Sequence, residues 1–242
     1  RVQVAPAFEI GGEFLLSVSG ATGDPLPCEV AATEPPDGTL LGAAPDRLVI
    51  HLDTPVAPAS LDAADLLVNG TPEALSVTLL DGDTVEFALP AYSDGPYTFS
   101  FAAGAMTNLA GTPLSAFEMT VLLDLTPPRV VSSSVQEGDV VAPTGLVFAA
   151  RFDEQLSTNQ LDASDLVLEG PVVGVIAPTG FDYDPGSSTL TVTFPDLRED
   201  QYTLNLRSGS GSFEDLAGHA LDGETPTWPI PPHASGDGVD GG

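Results

Sequence analysis

The chain contains no lysine. Its six basic residues are all Arg and face 35 acidic ones, for a formal net charge of −29. Charge of that sign repels phosphate backbones and anionic lipid, which argues against nucleic acid and membrane surfaces as partners. Without lysine there is no Lys–Asn isopeptide crosslink and no phosphate loop ending in Lys-Ser/Thr. Cys28 is the single cysteine, so no intrachain disulfide forms within these residues. No His lies near it in sequence to act as a base, and a passive, buried thiol is expected. No apolar run approaches the ~20 residues of a spanning helix, so membrane insertion is not expected. The chain starts at Arg1 without a Met or a secretory signal, which points to a processed protein or a fragment.

Catalytic patterns are also missing. His51, His219 and His233 are scattered, with no HExxH or His-x-His spacing. His51 alternates with Val49, opposite Leu48, Ile50 and Leu52, and is expected at the surface. No Gly-x-Ser-x-Gly elbow occurs, and Ser208-Gly-Ser-Gly-Ser212 reads as a flexible loop. A carboxylate pair for glycoside hydrolysis is not singled out among so many acids. The expectation is a protein that is not an enzyme.

What the sequence does contain is a repeat. Leu61-Asp-Ala-Ala-Asp-Leu66 recurs as Leu161-Asp-Ala-Ser-Asp-Leu166, and Asn108-Leu-Ala-Gly111 as Asp215-Leu-Ala-Gly218. A period of about a hundred residues is the size of a small domain and too long for a solenoid unit. With 25 Gly and 23 Pro the chain is built for turns between short strands. Strict alternation marks strands at Leu190–Phe194, Tyr202–Leu206 and Tyr97–Phe101, with matched strands at Leu48–Leu52 and Leu146–Ala150. Val77–Leu80 and Asp83–Leu89 read as a hairpin in which Asp81-Gly82 supplies positive φ angles. No helical period persists, although each Leu-Asp-Ala-Ala/Ser-Asp-Leu segment fits one short turn capped by Asp. Asn69-Gly70-Thr71 matches a glycosylation sequon but is read as a hairpin turn.

About seven short strands per hundred residues predict an all-β fold of two Greek-key β-sandwiches. The expected modules are 28–125 and 126–224, joined by the stiff Thr126-Pro127-Pro128. The second copy is longer, and its added Asp182–Ser188 is expected in a loop. Residues 1–27 hold two strand-like runs, Val2–Ile10 and Glu13–Ser19, expected to finish a preceding domain or to dock on the first module. Residues 225–242 read as a Pro/Gly-rich linker or the start of a next module.

These residues carry a resemblance. Ala32-Thr-Glu-Pro-Pro-Asp-Gly38 is followed by a strand ending in an acid and then by Leu-Asp-Ala-Ala-Asp-Leu. A strand with Gly95, Tyr97 and Thr98 comes next, and the copy closes on Asn/Asp-Leu-Ala-Gly. The order, seen twice over about 28–224, resembles the tandem bacterial immunoglobulin-like modules of S-layer and large secreted surface proteins. The second copy departs at its end, where Thr225-Pro-Thr-Trp-Pro229 replaces the apolar run Phe117–Leu123. Residues 1–20, with Gly12-Glu-Phe-Leu-Leu-Ser-Val-Ser-Gly20, are similar to the closing strands of a pre-peptidase C-terminal β domain. The resemblance implies two tandem immunoglobulin-like sandwiches, an extracellular or cell-surface location, a structural or adhesive role and no catalytic residues.

In an immunoglobulin-like sandwich the loop after the second strand and the loop before the last strand share the pole where the chain enters. In the second module those loops carry Asp153, Glu154, Glu214 and Asp215, and the arriving linker carries Asp124. Oxygen donors of this kind suit Ca²⁺, the one candidate ion for a fold that otherwise requires no cofactor. Asp182 and Asp184, and Asp237 with Asp240, are lesser acidic groups. The expected role is a spacer in a large bacterial surface protein, with neighbouring domains or identical subunits as partners. Two alternatives remain. One is an adhesin or carbohydrate-binding module, with Tyr92, Phe181, Tyr183 and Trp228 as candidate contacts. The other is a fibre or surface-layer subunit whose Val2–Ser19 strands add to a neighbour's sheet.

Overall fold

The computed structural model describes residues 28–224, 229–239 and 241. The expected hairpin of residues 1–27 and the Trp228 side chain lie outside the described residues. The chain divides into two compact units between Leu123 and Asp124. Both are all-β.

The strands of the first unit are β1 (Val30–Glu34), β2 (Thr39–Leu41), β3 (Arg47–Leu52), β4 (Leu66–Val68), β5 (Thr71–Pro72), β6 (Ser76–Leu79), β7 (Thr84–Ala88), β8 (Gly95–Phe101) and β9 (Phe117–Leu123). One sheet has the order β1-β3-β7-β6 and the other β2-β9-β8-β4-β5. The first edge strand thus splits, pairing antiparallel with β3 and then, past Pro35-Pro36, parallel with β9. Two sheets with this order and these crossovers make an immunoglobulin-like Greek-key sandwich. Alternation fills its interior: Leu48, Ile50 and Leu52 of β3 meet Val85 and Phe87 of β7 and Phe99 and Phe101 of β8, all buried. From the last strand, Met119, Val121 and Leu123 face inward.

The second unit repeats the plan with β10 (Val130–Ser133), β11 (Gly145–Phe152), β12 (Leu166–Gly170), β13 (Gly174–Ile176), β14 (Gly180–Asp184), β15 (Thr189–Asp196) and β16 (Thr203–Leu206). Its sheets are β10-β11-β15-β14 and β13-β12-β16. Phe148, Ala150 and Phe152 pack with Leu190, Val192, Phe194 and Phe213. Among the described residues no strand equivalent to β9 pairs with β16. Leu204 and Leu206 of β16 are accordingly half-buried, whereas Phe99 and Phe101 of β8 are enclosed.

Local signals account for the shared details. Asp62 and Asp162 each cap a 3₁₀ turn, and Asp65 and Asp165 return the bond to the capping residue's N–H. The Tyr97 hydroxyl donates to the Ser93 carbonyl at 3.1 Å, and the Tyr202 hydroxyl to the Arg198 carbonyl at 2.8 Å. This is the tyrosine corner that opens the corresponding strand of immunoglobulin-like sandwiches. Asn69 and Gly70 have φ of 50° and 81°, the tight hairpin turn read from the sequence.

Three expectations change. Gly82 does not take a positive φ; the loop is held instead by the Asp81 carboxylate, which accepts from the N–H groups of Asp83 and Thr84. Asp182–Asp184 is not loop but part of β14, paired with β15, and only residues 185–188 form the turn. The described part of 225–242 does not run on as a linker. Ile230 exchanges two hydrogen bonds with the Gln136 side chain, and Ser235 pairs with Val130. The anchor is Asp222, fully buried, whose carboxylate accepts from Asp237 N–H (2.9 Å) and Gly238 N–H (2.7 Å) and faces Arg129 at 3.5 Å. A buried carboxylate must be paired, and the returning backbone pairs it.

Candidate metal centre

Asp124, Glu154 and Asp215 converge in the second unit, each with one oxygen within 4.8 Å of the others. Three local features bring them together. Asp124 opens the unit, and its carbonyl accepts a 2.9 Å bond from the His219 ring. Since a carbonyl only accepts, that bond places the proton on Nε2. Glu154 follows the end of β11. Asp215 sits in an isolated bridge with Leu156, at the start of the Asp-Leu-Ala-Gly turn.

Asp215 is 1 % exposed. Its Oδ1 accepts from the N–H groups of Gly218 (2.6 Å) and His219 (2.8 Å), which closes the turn. Its Oδ2 is buried and has no hydrogen-bond partner. Burial, then the charges of Asp124, Asp215 and Asp153 and a hydrogen bond with Asp124, pushes the Glu154 carboxyl up to about 8. Burial likewise raises Asp215, against the pull of the His219 and Gly218 N–H groups and of the His219 charge. At neutral pH Glu154 is therefore largely protonated, and the buried Oδ2 of Asp215 still has no hydrogen-bond partner.

The other two expected ligands are elsewhere. Asp153 Oδ1 accepts from Arg129 N–H at 2.7 Å, just as Asp53 Oδ1 accepts from Glu29 N–H at 2.8 Å. Glu214 pairs through its backbone with Ala220, and its carboxylate is not among the converging oxygens. Consecutive residues along extended chain point to opposite sides, so Glu154 and Asp215 turn inward while Asp153 and Glu214 do not. His219 was not singled out in the sequence. Its place within the second Asp-Leu-Ala-Gly-His turn was the available signal.

A second acidic group, Asp222, Glu224 and Asp237, also lies close together. There the buried carboxylate already has two N–H donors and Arg129, so it clasps the C-terminal segment and has no need of an ion. Asp182 and Asp184 lie on β14, where Asp184 closes its own turn through Gly186 and Ser187. Of the aromatic candidates for sugar contact, Tyr92, Phe181 and Tyr183 are part-buried and pack against the cores. Tyr92 packs against Tyr97 with the rings tilted and their centroids 4.6 Å apart. Phe181 and Tyr183 pack against the second core, and the Tyr183 hydroxyl accepts from Leu156 N–H at 2.8 Å. His51 is half-buried beside Thr84 and Glu34.

No protein-family model matches this sequence, and no curated protein does. Among solved structures, the chain is similar to the titin domains I67–I69 (12 % identity, TM-score 0.43, covering 81 % of this chain and 65 % of that one). It is also similar to the S-layer protein rSbsC(31–844), at 14 % identity and TM-score 0.32. That match covers 83 % of this chain and 34 % of the S-layer chain. A third is CopC from Methylosinus trichosporium OB3b, at 14 % identity and TM-score 0.33, over 40 % of this chain and 93 % of the other. The sandwich assignment stands on each unit's own strand order and pairing.

Proposed function

We propose that this chain is a non-enzymatic structural region of a secreted or cell-surface bacterial protein, holding neighbouring domains or further copies at a distance. The observation that carries this reading is the duplication of one sandwich plan down to its details. Both units have the capped turn, the tyrosine corner and the Asp–N–H bond that seats the entering strand. What both units keep is the set of bonds that holds strands in place, as a spacer requires. The acidic surface supports it too, since strong like charge keeps an exposed chain soluble and away from anionic surfaces.

Single-molecule pulling tests the reading. Two separate unfolding events are expected, each releasing about 35 nm of chain, as ~100 residues at ~3.5 Å each would give. Unfolding in one event that releases the whole chain, or below the forces that open isolated loops, would remove the spacer role.

A further inference from the structure

The cluster at Asp124, Glu154 and Asp215 has one property that acidic surface groups lack. Asp215 is enclosed, its Oδ1 accepts from two N–H groups, and its Oδ2 is buried without a donor, while one of its oxygens lies within 4.8 Å of Asp124 and Glu154. A buried, unpaired carboxylate oxygen carries a desolvation cost that something must offset. The first unit shows the neutral solution to the same problem. There Asn108 occupies the position of Asp215 and Thr54 that of Glu154. Asn108 Oδ1 accepts from Ala110 and Thr112 N–H groups, and its Nδ2 donates to the Thr54 hydroxyl at 3.4 Å. The second unit has replaced that donor and its acceptor with two carboxylates and added a third from Asp124.

We propose that Asp124, Glu154 and Asp215 bind one divalent cation, Ca²⁺, and that the second unit reaches its full stability only with the ion bound. Three carboxylates offer hard oxygen ligands, and water completes the shell. Oxygens spread over as much as 4.8 Å suit Ca²⁺, with bonds of about 2.3–2.6 Å. Mg²⁺, at about 2.0–2.1 Å in a near-ideal octahedron, asks for a tighter set. The bonds that Gly218 and His219 make to Asp215 fix the buried ligand before any ion arrives. The site stands whether or not the chain is a spacer.

The test uses the whole chain, stripped of metal by chelator and returned to roughly physiological salt, so that general screening of its charge is constant. Calorimetric titration and thermal melts are read with Ca²⁺, with Mg²⁺ and with NaCl of matched ionic strength. Ca²⁺ is expected to bind with Kd in the range ~10⁻⁴–10⁻³ M usual for extracellular modules, and to raise one melting transition and leave another in place. Glu154→Gln is expected to weaken binding at least about ten-fold. Asp215→Asn is expected to abolish the response and still fold, as Asn108 does at the same position in the first unit. Asp237→Asn, in the other acidic group, should leave binding unchanged. A shift of equal size in matched NaCl, an unaltered response in Glu154→Gln, or no heat and no shift at ten-millimolar Ca²⁺ would each overturn the site. A response to Mg²⁺ as strong as that to Ca²⁺ would overturn the choice of ion.

Discussion

The two units solve one structural problem with different chemistry. Where the strand before the last turn meets the loop after β3, the first unit buries Asn108 and Thr54, a donor beside an acceptor. In the second unit the same places, after β11, hold Asp215 and Glu154, two carboxyl groups together with that of Asp124. The turn keeps its role: Oδ1 accepts two backbone N–H groups in each, from Ala110 and Thr112 in the first unit and from Gly218 and His219 in the second. Only the outward half of the side chain differs. The comparison teaches that Oδ1 performs the structural task, and that exchanging the amide for a second carboxylate oxygen leaves a buried oxygen without a donor among carboxyls that burial and mutual repulsion push toward the protonated form.

The broadest test of the comparison is whether the units melt separately. Phe152, fully buried and stacked on Phe213 at 5.9 Å, is expected to cost about 3–5 kcal/mol when replaced by Ala. Phe87→Ala should do the same in the first unit. Denaturant melts of the two variants should lower different transitions; if both lower the same one, the units are not independent.

Exchanging the chemistry between units comes next. Thr54→Glu with Asn108→Asp should destabilise the first unit by about 2–4 kcal/mol at neutral pH without divalent ions, since it buries uncompensated charge. Glu154→Thr with Asp215→Asn should instead stabilise the metal-free second unit and end its response to Ca²⁺. Chemical denaturation of both double variants checks this, and losses of equal size in the two directions would break the contrast.

A pH series sharpens it further. Glu154 titrates near 8 in the folded unit against an ordinary carboxyl value of 4.5, so the folded state binds the proton more tightly. The metal-free second unit should be most stable below about pH 4.5. It should lose that increment as pH rises, with the loss complete once pH passes 8. The charges acting on Glu154 are those of Asp124 and Asp215 within the cluster and of Asp153 outside it, with His219 beside Asp215. Saturating Ca²⁺ should flatten the slope, and the first unit, where burial raises Asp65 but no acidic cluster adds to it, should show a smaller one. Melts between pH 4 and 9 with and without Ca²⁺ read the difference directly.

The smallest effect tests what the units share. Tyr97→Phe and Tyr202→Phe each remove one hydroxyl-to-carbonyl bond and should cost about 1 kcal/mol. Similar losses in equilibrium unfolding would confirm a common corner. A loss confined to one unit would show that the corner serves only there.

Much of this was legible because its causes are local. Period-two alternation marked β3, β8, β15 and β16, and the Asp spacing of Leu-Asp-Ala-Ala/Ser-Asp-Leu marked the capped turns. The acidic pole was legible as a region and less so as a set of ligands. Phe152 is followed by Asp153 and Glu154, and nothing in that order says which side chain turns inward. The two copies held the clue. Asp53 and Asp153 are the same residue because both seat an entering strand, while Thr54 and Glu154 differ, as do Asn108 and Asp215. The C-terminal segment misled for another reason. Gly and Pro predict an exposed tether from composition alone, but the partner that holds the segment, Asp222, lies outside it.

By itself the sequence determined the class of fold, the duplication, the capped turns and the excess of acid, since each follows from near neighbours or from totals. Only the tertiary structure decided which acids meet, which of them is buried, and that one carboxylate oxygen of Asp215 is left without a donor. Those facts depend on residues brought together from Asp124, the end of β11 and the Asp-Leu-Ala-Gly turn. Burial and charge repulsion act through space, where order along the chain carries no distance.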